Sequence, residues 1–265
     1  MKKTALVIGF LIAAGTGAVA QDRTIVLMGA STSAGVGATT YDSSFAGRYA
    51  HYLKNQDPAW TFTNLAVSGY TTFQLMPTGY AAPSGRPKTD PAHNITKALS
   101  LHPRVLLLCM GTNDIANGYP ASQYEANYDS LHAIAERAGI PFWVTTPLPR
   151  GVDAAKRSMI LALRDRIMSR DAPRAINFYD SLGDAQGNYY PAFNSGDNIH
   201  TNNHGHRLLF ERVVAASLIS SVTALAGSPG PNLPREEAST GRFPMLYLAP
   251  GLSEPRDLRG RMFGR

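Results

Sequence analysis

Five short apolar stretches recur along the chain, at Thr24–Met28, Thr61–Ala66, Arg104–Met110, Ile140–Thr146 and Ala175–Tyr179. Val105-Leu106-Leu107-Leu108 and Pro141-Phe142-Trp143-Val144 hold almost no polar residue, as expected of strands covered on both faces. Between the stretches, helical patterns occupy Ser43–Asn55, His93–Ser100, Ser122–Ala138, Asp153–Ser169 and Asn203–Ala226. The third puts Tyr124, Tyr128, Leu131 and Ala135 on one stripe, and the fourth does the same with Met159, Leu163 and Ile167. Strand then helix, five times over, predicts an α/β fold with one parallel sheet and helices on both of its faces.

Two segments fall outside this rhythm. Tyr70 to Pro91 holds four prolines and the aromatics Tyr70, Phe73 and Tyr80, and a connection of that length is usually functional or disordered. Residues 227–265 are rich in Pro, Gly and Arg without periodicity, which predicts a flexible tail outside the fold. The first twenty residues have their own logic. Met1-Lys2-Lys3 is basic, Ala5 to Ala14 is apolar, and Ala18-Val19-Ala20 offers a small-residue cleavage site before Gln21. This is the make-up of a signal peptide, with an apolar run too short to span a bilayer. The expected organisation is therefore a signal peptide at 1–20, one domain at 21–226 and the tail, with a secreted or periplasmic mature protein and no stable membrane anchor.

Charge adds little. The net +6 includes Lys2 and Lys3, and the tail sets six Arg against four acids, which leaves +2 on residues 21–226. No basic face interleaved with aromatics emerges, so nucleic acid is not an expected partner. Cys109 is the only cysteine; it cannot form an internal disulfide and is expected as a small core residue.

In parallel α/β sheets ligands bind beyond the carboxyl ends of the strands, and chemistry-bearing residues gather there. After the first strand comes Gly29-Ala30-Ser31-Thr32-Ser33-Ala34-Gly35, a turn able to hold one hydroxyl, Ser31, above the sheet edge. The second strand runs out through Asn64-Leu65-Ala66-Val67-Ser68-Gly69, where a glycine can bring its N–H close to a bound group. The third ends in Met110-Gly111-Thr112-Asn113-Asp114, and Asp197-Asn198-Ile199-His200 precedes the last helix. A nucleophile, several donors, a base and an orienting carboxylate are the set that acyl transfer needs.

On these residues the chain resembles the SGNH/GDSL hydrolases over Thr24 to Ala226, with four motifs in the family's order: Gly29-Ala30-Ser31 with Gly35, Asn64 to Gly69, Gly111-Thr112-Asn113-Asp114, and Asp197-x-x-His200. The resemblance implies a three-layer α/β/α sandwich with a flavodoxin-like five-stranded parallel sheet. It also implies a serine esterase working without a cofactor or metal. Ser31 would be the nucleophile, His200 the general base and Asp197 the residue orienting the imidazole; the N–H groups of Ser31 and Gly69 and the Asn113 amide would form the oxyanion hole. The family's first block normally reads Gly-Asp-Ser, and here Ala30 replaces the Asp. That Asp is not a triad member, so the hydrogen bonds it would make are expected to be absent or supplied elsewhere. The family's compactness points to short acyl groups, and export together with the aromatic 70–91 segment points to acetylated polysaccharide; a small-molecule ester is the other expected substrate.

Other readings of the same residues are available. Asp180 rivals Asp197 as orienter, and His204 and His206 rival His200. Asp197, His200, His204 and His206 together raise a zinc hydrolase, although no His-Glu-x-x-His is present. Ala30 in the nucleophile turn raises a catalytically silent carbohydrate-binding protein on the same scaffold. Asn94-Ile95-Thr96 matches a glycosylation acceptor. Oligomeric state leaves no signature.

Overall fold

The computed structural model describes residues 23–220; the predicted signal peptide, the tail and the end of the last predicted helix lie outside the described residues. Strands β1 (Arg23–Gly29), β2 (Trp60–Asn64), β3 (Val105–Cys109), β4 (Phe142–Thr145) and β5 (Ala175–Ile176) form a sheet in the order β2-β1-β3-β4-β5, with every neighbour parallel. Around it lie α1 (Phe45–Gln56), α2 (Thr72–Leu75), α3 (Ile95–Ser100), α4 (Thr112–Ala116), α5 (Ala121–Arg137), α6 (Ala154–Arg170) and α7 (Asn203–Ala215).

Successive side chains of a strand point to opposite faces, and β1 divides its own between two cores. Ile25 and Leu27 pack with Phe45, Tyr49 and Leu53 of α1 and with Leu209 and Val213 of α7. Val26 and Met28 pack with Ile95 of α3, Tyr128 and Leu131 of α5 and Leu163 and Ile167 of α6. All four β1 side chains are fully buried, which is why the strand shows no polar alternation. The result is the expected three-layer sandwich. Side-chain caps set the helix starts: Ser44 accepts from the Gly47 N–H (3.1 Å), Asp153 from that of Lys156 (2.9 Å), and Asn202 from those of His204 and Gly205.

Four details differ from the sequence expectation. β5 stops at Ile176 rather than Tyr179, because Asn177 turns the chain by accepting from the Tyr179 and Asp180 N–H groups. The continuous helix α7 ends at Ala215, with Ser217 left-handed beyond it. The 70–91 segment carries α2 and is tied down at both ends: the Tyr70 hydroxyl donates to Asp90, and the Asp90 N–H donates to the Gln74 carbonyl (3.0 Å). Asn94 is fully buried and caps α3, its oxygen accepting from Lys97 N–H and its amide donating to Thr78; it is not presented to a glycosylating enzyme in the folded chain. Among the described residues no helix is long and apolar enough to cross a membrane.

Candidate active site

The chain leaves β1 for β2 on one side, while β3 lies on the other. The carboxyl ends of β1 and β3 therefore open a crevice where the strand order reverses. Gly29 is in register with Cys109, so the turns after the two strands emerge side by side. The cleft there is lined by Ala30, Ser31, Tyr70, Asn113 and, from the segment after β4, Leu148 and Arg150.

Ser31 sits in the first turn of this crevice, only 9% exposed, and its Oγ is 2.8 Å from His200 Nε2. The other ring nitrogen, Nδ1, is 2.6 Å from Asp197 Oδ2. A proton on Nδ1 satisfies the carboxylate and leaves Nε2 as the acceptor for the serine hydroxyl. Asp197 is itself held by its neighbours. Its Oδ1 accepts from the Ile199 and His200 N–H groups (2.8 Å each) and from Ser195 Oγ (3.0 Å). Partial burial raises its pKa, but the hydrogen bonds from the His200 ring and from these donors outweigh that and keep it below the usual carboxylate range. The three residues form one continuous hydrogen-bonded chain.

Gly37 lets the two halves of that chain meet. Its φ is +97°, and a Cβ there would lie 2.1 Å from the Thr201 carbonyl oxygen and 3.1 Å from His200 Cβ. Only a residue without a side chain lets the Ser31 loop approach the His200 segment so closely.

Asn113 lies at the start of α4 with its amide fixed from both sides. Nδ2 donates to the Tyr70 carbonyl (2.8 Å), and Oδ1 accepts from Arg150 Nη1 (2.8 Å). Among the described residues the second Nδ2 proton has no acceptor. Gly69 precedes Tyr70 on the loop after β2, exposed, left-handed at φ +84° and open where a side chain would stand. It is not itself among the residues lining the cleft. Among the described residues, neither the Ser31 nor the Gly69 N–H has a hydrogen-bond acceptor.

The rivals go elsewhere. The Asp180 carboxylate pairs with Arg164 (3.4 Å) and Asn177 (2.7 Å). His204 is exposed. His206 is buried, with Nδ1 accepting from the Phe45 N–H (3.3 Å) and Nε2 donating to the Val36 carbonyl (3.1 Å). Burial outweighs the Val36 bond and lowers its pKa to about 4. Among the described residues no three His, Cys, Asp or Glu side chains converge as a metal-ligating group. Tyr70 and Arg150 are site residues that sequence reasoning missed. The strand-end rule that picks out Ser31 and Asn113 applies equally to β4, whose Thr146-Pro147-Leu148-Pro149-Arg150 runs out over the same edge.

The sequence model of the GDSL-like lipase/acylhydrolase family matches residues 27–208. No curated protein matches the chain in sequence. Solved structures with the same fold include a Bacteroides fragilis protein assigned as an acylhydrolase (TM-score 0.56, 17% identity, 76% of this chain and 88% of that one). The psychrotrophic esterase EstA from Pseudoalteromonas sp., inhibited by monoethylphosphonate, superposes with a TM-score of 0.54 at 17% identity, over 77% of this chain and all of that one. A variant of the acetyl xylan esterase Axe2 from Geobacillus stearothermophilus gives 0.53 at 16% identity, over 73% and 94%. With the family's match spanning both the Ser31 turn and the His200 segment, the chain belongs to the GDSL-like lipase/acylhydrolase family and is a carboxylic ester hydrolase.

Proposed function

We propose that this hydrolase is an exported serine esterase removing short acyl groups, acetyl foremost, with polysaccharide as the carrier. The hydrogen-bonded line from Ser31 Oγ through the His200 ring to Asp197 carries the reading. His200 Nε2 takes the Ser31 proton as Oγ bonds to the ester carbonyl carbon, and Asp197 stabilises the imidazolium that results. The carbonyl oxygen becomes an oxyanion received by the Ser31 and Gly69 N–H groups and the free Asn113 amide proton. Collapse breaks the bond to the alcohol, which leaves with the proton from His200. Water, activated by the same imidazole, then releases the acid from Ser31. Export rests on the make-up of residues 1–20. The acetyl-polysaccharide substrate is supported by the fold shared with the acetyl xylan esterase and by the absence of any separate lid domain between the motifs in the chain.

A serine-directed organophosphonate tests the mechanism, as such a reagent inhibits the Pseudoalteromonas esterase. Mass spectrometry is expected to find one adduct on Ser31, and Ser31→Ala to lose both the adduct and ester turnover. Glycan binding with neither adduct nor turnover would instead favour the silent carbohydrate-binding protein. Acetate release from acetylated xylan, compared across p-nitrophenyl esters of rising chain length, tests the substrate.

A further inference from the structure

Arg150 is held in the cleft by a rigid backbone. Pro147 and Pro149 precede it, its N–H donates to the Gly187 carbonyl (3.3 Å), and the next N–H, of Gly151, donates to that of Asn198 (2.6 Å). The half-buried side chain has one polar partner, Asn113 Oδ1. A guanidinium carries five N–H donors in a planar fork, so four remain without a side-chain or backbone acceptor among the described residues. No ion pair among those residues includes Arg150. The carboxylate whose charge reaches it, Asp197, is committed to His200. Ala30, also on the cleft wall, brings no charge to it.

A partly buried cation with no counter-ion is costly unless something supplies one, and the guanidinium fork matches a carboxylate in two parallel hydrogen bonds. The fork is also close to the chemistry. Its Nη1 is hydrogen-bonded to Asn113 (2.8 Å), the side chain assigned above to the oxyanion, and both residues line the same cleft as Ser31. We propose that Arg150 is a specificity-determining residue that receives a carboxylate of the substrate, so that the preferred esters carry a free carboxylate a few bonds from the scissile carbonyl. The proposal rests on the esterase reading of the cleft and adds the class of substrate. The unpaired Arg150 then has an explanation: the negative charge it lacks among the described residues is brought by the substrate.

The carboxylate can come from the acyl half or the alcohol half, and two matched pairs separate them. Monomethyl succinate is compared with dimethyl succinate, and O-acetylated galacturonate with O-acetylated galactose, by kcat/KM for full-length protein. In one arm the anionic member is expected to be preferred, with a preference that weakens as salt is raised. Arg150→Gln is expected to lower the anionic-to-neutral ratio by about 10- to 100-fold, mainly through KM, in line with a lost hydrogen bond to a charged group. Ala30→Asp, which adds a competing carboxylate to the same cleft, is expected to lower the ratio in the same direction. A ratio unchanged in Arg150→Gln, with both esters slowed alike, would mean that Arg150 only orients Asn113 and would overturn the proposal. So would wild-type protein that hydrolyses p-nitrophenyl acetate and forms the phosphonate adduct but shows no anionic preference in either arm. Wild type with neither turnover nor adduct would overturn the esterase reading itself.

Discussion

Asn113 shows how a single amide can be aimed. Its oxygen is occupied by Arg150 and one of its protons by the Tyr70 carbonyl, so the remaining proton has a fixed direction before any substrate arrives. Such preorganisation makes an oxyanion donor effective, and losing one costs on the order of 10²–10³ in kcat. Asn113→Asp keeps the shape and gives Arg150 a partner but places negative charge beside the developing oxyanion. The variant is expected to fold, as judged by circular dichroism, and to lose at least about 10²-fold in kcat with a smaller change in KM. Unchanged kcat would remove Asn113 from the oxyanion site. Gly37 is the other position where one residue bears on the proposed chemistry. Gly37→Ala places a methyl group against the Thr201 carbonyl and strains a left-handed backbone, at a cost of about 1–3 kcal/mol. Because it parts Ser31 from His200, turnover is expected to fall by about 10²-fold. Melting temperature and kcat/KM on one sample separate the two effects, and a folded Gly37→Ala with wild-type turnover would show that the contact does not set the geometry.

The strands and long helices were legible because each makes its whole case locally. β1 and β3 are buried on both faces, and α5 and α6 run for 17 residues each with their stripes intact. α2 and α4 have four and five residues, too few to display a helical period, and what holds them lies elsewhere in the chain. Fully buried Asp114, in α4, accepts from the Thr72 N–H with both oxygens (3.1 Å each) and from the Thr72 hydroxyl (2.7 Å), while Asn127 of α5 donates to that same hydroxyl (2.8 Å). The 70–91 segment reads as unstructured in the sequence because its ties are pairings within an aperiodic stretch, such as Tyr70 with Asp90, or come, for Thr72, from Asp114 and Asn127, 42 and 55 positions downstream. The site divides along the same line. Ser31, His200 and Asp197, which the fold joins in one hydrogen-bonded line, carry motif and spacing signals in the sequence, whereas the role proposed for Arg150 depends on what the fold leaves unpaired around it.

Two buried groups give the domain opposite responses to acid. Burial takes the His206 pKa from 6.5 down to about 4. The unfolded chain binds that proton first, so this contribution is complete above pH 6.5 and is lost as pH falls towards 4, by about 3 kcal/mol at most. Burial of Asp114 outweighs its bonds to Thr72 and lifts the carboxyl to about 6. The folded chain holds that proton longer, so its contribution is complete below pH 3.8 and is lost as pH rises through 6. Between pH 4 and 6 the slopes oppose. Asp114→Asn removes one of them, and urea denaturation of this variant from pH 4 to 8 is expected to show stability falling more steeply on acidification than in wild type. Parallel profiles would mean that Asp114 does not titrate in this range.

The hydroxyl and the imidazole that would share a proton are 169 positions apart in the chain, and the imidazole arrives on the segment leading into the last described helix. On the proposed mechanism, a nascent polypeptide that has not yet reached His200 is hydrolytically inert, however much of its sheet has already assembled. The onset of ester cleavage during refolding would time the docking of α7, and so give a direct chemical clock for completion of the fold.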